Sequence, residues 1–167
     1  MERSTCPSCG MAVLAQVNLP AGSAFPASPE CWQEFGQLTA YNLQQSSDDF
    51  GHQVAVDSYA AQHPGPPAKR VTLWFALAGL YLALEEGWTG RQVQVAHQRL
   101  SRLDKVGPDL DHPVVPRGMT VGDVMAANAG DDRNTALINW ARVVWKAWSP
   151  CHSVIAASLP QLSRLRR

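Results

Sequence analysis

A chain of 167 residues, 46% of them hydrophobic, can bury a core without disulfide staples. Its 14 cationic and 14 acidic side chains cancel, which argues against a nucleic-acid surface and against a strongly acidic or basic partner. The longest apolar run, 71–84, carries Trp74, Gly79 and Tyr81; it is too short to cross a bilayer and reads as a buried helix. No apolar stretch follows the N-terminal methionine, so no export signal is expected and the expected compartment is the reducing cytoplasm. The arginines at 164, 166 and 167 read as a solvated tail.

The first element is Cys6-Pro7-Ser8-Cys9-Gly10. Two thiols two residues apart, with a glycine that lets the backbone turn beneath them, form a zinc knuckle. The other reading of Cys-x-x-Cys is a disulfide or redox pair, but no strand–helix pattern of a thioredoxin-like unit surrounds it. Residues 11–25 follow as an extended excursion, with a weak strand pair around 12–17 and Ala24. Ser28-Pro29 then starts a helix over 29–44, with Ser28 as N-cap and Pro29 in the first turn. Cys31 falls in that first turn, where the amide dipoles favour a thiolate. A knuckle, an excursion and a helix whose start carries a third cysteine make a treble-clef-like layout. The position one turn on holds Glu34 or Phe35, so the fourth ligand is remote.

The polar stretch 45–49 predicts a turn, and a second helix spans 50–62 until Pro64-Gly65-Pro66-Pro67 stops it. A short connection makes the two helices antiparallel. His63 then returns to Cys31, while His52 lies at the far end, on the order of 15 Å away at 1.5 Å per residue. The predicted metal ligands are Cys6, Cys9, Cys31 and His63 with Zn2+ as the ion; His52, His152 and Cys151 remain alternatives for the fourth place.

The remainder is helical. A helix over 68–86 ends at Gly87, a left-handed C-terminal glycine. Thr89-Gly90-Arg91-Gln92 is a capping box for the next, reaching about 104, with Val93, Ala96, Leu100 and Leu103 as its apolar stripe. A loop over 105–118 contains His112. Thr120-Val121-Gly122-Asp123 caps a short helix to 128, and Asp131 or Asp132 caps one to 148, with Trp140, Val144 and Trp148 on one face. A last helix spans 151–162. The fold class is therefore all-α: a single domain over 1–167, in which a zinc-knuckle element at 1–31 packs on a helical bundle at 32–163.

Cys6-Pro7-x-Cys9-Gly10, Cys31-Trp32, the string His52-x-x-x-Val56-Asp57-x-Tyr59-x-x-Gln62-His63-Pro64-Gly65 and Trp145-x-x-Trp148-x-Pro150-x-His152 resemble an uncharacterised bacterial family, a domain of unknown function. The resemblance covers nearly the whole chain and implies fold-level kinship and a polar constellation, not a reaction. Members of that family often carry a histidine on the third helix where this chain has Trp74, a departure that weakens any second metal site there.

The central string admits three readings. Asp57, His52 and His152 could converge on a substrate or second metal, with Asp57 as base or ligand. Asp57 could hydrogen-bond a histidine or tryptophan N–H and tie two helices together, since a buried carboxylate is costly without a partner. Or it could hold the free ring nitrogen of a metal-bound histidine. The six tryptophans read as core, not as a stacking platform, because no basic residues interleave them. Two functions follow. One is a zinc-stapled binding or regulatory module with a closed four-ligand metal; its partner class is open, another protein being the fitting one. The other is a metal-dependent hydrolase with a polar site near His52, Asp57, His63 and His152. Three cysteines favour the closed metal, since thiolates donate much charge and blunt Lewis acidity.

Overall fold

The computed structural model describes residues 3–16, 19, 23–45, 51–103, 107–110 and 117–166. The expected turn residues 46–49, the helix start at Phe50 and the loop residue His112 lie outside these, whereas the helix expected to reach about 104 ends at Leu100, which leaves Leu103 exposed and off its apolar stripe. The chain opens with two short antiparallel strands, β1 (Arg3–Thr5) and β2 (Ala12–Leu14), with Thr5 opposite Ala12. Five longer and three shorter α-helices follow among the described residues. They are α1 (Pro29–Gln44), α2 (Gly51–Gln62), α3 (Arg70–Leu84), α4 (Gly90–Leu100), α5 (Val121–Ala126), α6 (Asp131–Ala147), α7 (His152–Ser158) and α8 (Leu162–Arg166). The molecule is all-α with a small two-stranded N-terminal element, as expected. No helix among the described residues is long and apolar enough to cross a membrane.

Helix α2 is the axis of the fold. It packs against α1, α3, α4 and α6, and residues from Gln53 to Gln62 other than Val56 are buried. A helix covered on all sides needs no amphipathic stripe, and its small residues Ala55 and Ala61, both fully buried, let neighbours approach closely. Around it lie Leu38, Leu77, Leu80, Val93, Val121, Trp140, Val144 and Ile155. Five of the six tryptophans are core residues, with Trp32 partly buried against them, and four send their indole N–H to an acceptor. Trp140 donates to Gln62 Oε1 at 2.9 Å, Trp148 to the Ala61 carbonyl at 3.0 Å, Trp74 to Ser158 Oγ at 2.8 Å and Trp145 to Glu85 Oε1 at 2.6 Å. Gln62 in turn donates to the Met119 carbonyl at 2.9 Å, so one buried amide joins α2, α6 and the segment before α5.

Helix ends follow local chemistry, with some corrections. Ser28 caps α1 by accepting from the Cys31 N–H, and α1 spans the residues predicted for it. Thr89 and Gln92 form the capping box of α4. Gly87, at φ 65°, ends α3 by letting the Trp88 N–H return to the Leu82 carbonyl at 2.9 Å. α3 is shorter than expected at both ends, and α5 stops at Ala126 rather than 128. The N-cap of α6 is Gly130, at φ 95°, not an aspartate; Asp131 and Asp132 occupy the first turn, where they face the amide dipoles. The last predicted helix is broken in three: a 3-10 turn at Ser149–Cys151, then α7, then α8. Pro160 forces Leu159 to an extended ψ of 141°, which a continuous helix cannot accept.

Candidate metal centre

Cys6 and Cys9 sit on the knuckle that joins β1 to β2. The turn closes through the Cys6 N–H to the Met11 carbonyl at 2.9 Å and the Gly10 N–H to the Cys6 carbonyl at 3.0 Å. Gly10 takes φ 79°, a left-handed conformation that favours glycine, and this brings the Met11 N–H within 3.5 Å of Cys9 Sγ. The knuckle is anchored to the start of α1. Glu30 accepts from Ser4 Oγ at 2.6 Å and from the Gln16 N–H at 3.3 Å, and Ser8 Oγ donates to the Pro26 carbonyl at 2.5 Å. Hydrogen bonding from Ser4 holds the Glu30 carboxyl below its ordinary range.

The first turn of α1 supplies Cys31, and the residue after α2 supplies His63. All four side chains are buried, and their ligand atoms lie within 4.8 Å of one another. Cys9 Sγ is 3.7 Å from Cys31 Sγ; His63 Nε2 is 3.4 Å from Cys31 Sγ and 3.5 Å from Cys6 Sγ. The imidazole is oriented by its other nitrogen: Nδ1–H donates to the Tyr59 carbonyl at 2.8 Å. A carbonyl can only accept, so Nδ1 carries the proton and the Nε2 lone pair faces the sulfurs. Tyr59 is fully buried, stacks between Phe35 and His63 with ring centroids 4.0 Å from each, and donates its hydroxyl to Cys31 Sγ at 3.5 Å.

The electrostatics are those of three thiols crowded around one point. Hydrogen bonds from Cys31 and then Cys9 hold the Cys6 thiol far below its ordinary value. Cys31, which keeps its proton and donates it in a hydrogen bond to Cys6, is pushed far above. Burial, then the nearby Cys31, raises Tyr59 well above the usual phenol value. Without a cation the group carries at most a fraction of the charge of three thiolates; a divalent cation is what would let all three ionise. The four residues that the sequence singled out are thus brought together in a cluster that could hold a metal ion.

The other candidates for the fourth place are elsewhere. Cys151 is half-buried in the 3-10 turn. His152 stacks flat on Trp145, centroids 3.7 Å apart and planes at 8°, and its Nε2–H donates to the Trp145 carbonyl at 2.9 Å. His52 is half-buried in the first turn of α2. Among the described residues, the Cys6–Cys9–Cys31–His63 group is the one cluster of three or more such ligands.

Asp57 also has a different neighbour from those weighed in the sequence. It is buried on α2 and accepts from Gln53 Nε2 at 3.1 Å, and its Oδ2 faces His97 Nε2 of α4 at 3.8 Å. The same Gln53 amide nitrogen is 3.2 Å from His97 Nδ1. Burial raises the Asp57 carboxyl well above the ordinary range and lowers His97 to about 4. Gly79 makes the room: a Cβ there would stand 1.9 Å from Asp57 Oδ2 and 2.8 Å from His97 Nε2. None of the three readings holds as stated: Asp57 is bonded by Gln53 of its own helix, and the histidine it faces across two helices, His97, stands at 3.8 Å without a hydrogen bond. His97 was overlooked, although it lies four residues after Val93 and three before Leu100, on the edge of the apolar stripe of α4.

The chain belongs to a family of unknown function, DUF5946, whose profile matches residues 4–149. That span holds all four cysteine and histidine residues of the cluster. No curated protein and no solved structure matches the chain.

Proposed function

We propose that Cys6, Cys9, Cys31 and His63 bind one Zn2+ as a closed, structural four-ligand site. The protein is then a cytoplasmic binding or regulatory module shaped by that metal. The observation that carries this reading is the spacing of the ligand atoms. A tetrahedral zinc with metal–sulfur bonds of about 2.3 Å has sulfur–sulfur edges of about 3.8 Å and sulfur–nitrogen edges of about 3.6 Å. The separations of 3.7 Å, 3.4 Å and 3.5 Å lie close to those edges. The donor set, three soft thiols and one imidazole, suits zinc over the hard cations that take oxygen ligands. Four protein donors fill a tetrahedron and leave no position for water, which is the structural and not the hydrolytic form. The zinc would join three separate pieces of chain: the knuckle, the start of α1 and the end of α2.

Elemental analysis of protein made without chelators should give about one zinc per chain. A chain free of zinc, or one loaded stoichiometrically with another metal, overturns the proposal. The ligand assignment is tested separately by competition with a chromogenic chelator. His63→Ala should leave three thiolates with water in the fourth place and markedly weaker affinity, and His52→Ala should keep its metal. The reverse outcome would remove His63 from the set.

A further inference from the structure

The last two helices are held in different ways. α7 is part of the bundle: Ile155 is fully buried, and Ser158 Oγ accepts from the Trp74 indole at 2.8 Å. α8 is five residues long, and Leu165 is the one residue of it that is buried. It packs chiefly against α4. Two further contacts hold it there. Arg99 of α4 donates to the Leu165 carbonyl at 2.6 Å, and the Arg166 guanidinium lies over the Trp88 ring, 4.8 Å from its centroid. Between the two helices Pro160 prevents one continuous helix. A helix as short as α8 is not stable by itself in water. It takes its shape from the face beneath it and can leave that face while α7 stays packed.

The occupant does not fill that face. Trp88, Gln92 and Val95 border an open groove of about 180 Å3 beside Leu165 and Arg166. Close-packed interiors leave few voids larger than a water molecule, so α8 lies on the face without closing over it. The face falls within the matched span 4–149, whereas α8 lies beyond it. A leucine anchor, a clamp on a backbone carbonyl and an arginine on an aromatic ring are means by which a groove holds an amphipathic helix from another chain.

We propose that α4 and Trp88 form a docking face for a short amphipathic helix of a partner protein, with α8 as a detachable strap that occupies it in the partner's absence. The recognised pattern is two leucines three residues apart followed by an arginine, as in Leu162, Leu165 and Arg166. The face is built from other elements than the cysteine–histidine cluster, so the proposal stands whether or not that cluster holds zinc.

The test uses the whole isotope-labelled chain and the indole N–H resonances of its tryptophans. That of Trp88 is identified by its loss in Trp88→Phe. The probe is a synthetic peptide with the sequence of residues 159–167. Leu165→Asp should release the strap, moving the Trp88 resonance and leaving those of Trp140 and Trp148 in place. The peptide should bind this variant at about millimolar concentration or tighter and return the Trp88 resonance toward its parental position. It should bind the parent on the order of tenfold more weakly, because a tethered competitor acts at an effective concentration of about millimolar or above. A peptide with aspartate in place of the leucine at 165 should bind neither chain. Arg166→Ser, a change at an exposed position, loosens the strap less and should give an intermediate affinity. The proposal fails if the Trp140 and Trp148 resonances move together with that of Trp88, since α8 is then part of the core. It also fails if the peptide moves the Trp88 resonance of neither variant, or binds parent and variants alike. A parent chain that dimerises on concentration with a shift of the Trp88 resonance would make the occupant a second copy and overturn the assignment to a partner protein.

Discussion

Two buried polar clusters lie along α2, and they differ in kind. At the C-terminal end, His63 lies against the sulfurs of Cys6 and Cys31, with Cys9 in the same cluster, and the imidazole is fixed by the Tyr59 carbonyl. In the middle, Asp57 meets Gln53 and faces His97 at 3.8 Å, and Asp57 Oδ2 and His97 Nε2 have no hydrogen-bond partner. Burial is similar at both. The first has the number, softness and spacing of ligands that close around a cation. The second offers one carboxylate and one imidazole, packed against the bare Cα of Gly79. Burial of a histidine beside acidic or thiol groups is therefore no sign of a metal; the count and geometry of donors decide.

Removing the proposed zinc should have the largest effect and separate the two clusters most sharply. Structural zinc contributes roughly 10–16 kcal/mol of apparent binding energy in small zinc peptides. Chelation should therefore unfold the knuckle and loosen the start of α1, while α3, α4 and α6 keep their packing. Hydrogen exchange should rise at residues 3–16 and 23–35 and stay slow around Leu77, Leu80 and Trp140. Uniform loss of protection would show that the bundle depends on the metal as well.

Gly79→Ala should do the opposite. Its Cβ would fall 1.9 Å from Asp57 Oδ2, so the α2–α3 contact must open. Overpacking of this kind costs about 1–3 kcal/mol. Urea unfolding should show that loss with metal content unchanged; an unchanged midpoint would mean that Asp57 moves aside freely.

The middle cluster should also leave a mark in the pH dependence. Burial raises the Asp57 pKa, so the folded chain retains a proton that the unfolded chain has released. The stability this contributes is full below the unfolded value of about 3.9 and is lost as pH rises through the folded one. His97, lowered to about 4, works the other way: stability rises with pH between about 4 and about 6.5 as the unfolded imidazole gives up its proton. Above about pH 6.5 the aspartate acts alone. Replacing it by asparagine should therefore relieve a decline of at most about 1.4 kcal/mol per pH unit. Urea unfolding of the parent and Asp57→Asn, compared from about pH 5 to about pH 8, reads this; a constant difference between them would place the Asp57 titration outside that window.

Tyr59→Phe is the subtlest change. It keeps the ring between Phe35 and His63 but removes the hydroxyl that donates to Cys31 Sγ. Loss of such an outer contact typically costs 10–100-fold in metal affinity, and the long 3.5 Å contact places the expectation at about tenfold. Chelator competition measures it, and an unaltered affinity would reduce Tyr59 to a packing residue.

Much of the cluster was legible in local chemistry. Cys6 and Cys9 are joined by a turn that their own glycine permits, and Cys31 is placed by the Ser28-Pro29 start of α1. His63 needed one further step, the antiparallel return of α2. The stop at Pro64-Gly65 was also readable from neighbours in sequence. The break between α7 and α8 was readable too, in Pro160, and was missed.

What the amino-acid order determined by itself was the punctuation: caps, glycine stops, helix spacing and the paired thiols, all set by interactions over a few residues. What only the tertiary structure decided was partnership across long separations. Asp57 was assigned to His97 rather than to His52 or His152, and Gln62 to Trp140 and Met119. Those pairings depend on how helices rotate and approach one another. That is governed by the packing of small residues such as Ala55, Ala61 and Gly79 against their neighbours, which no local pattern encodes.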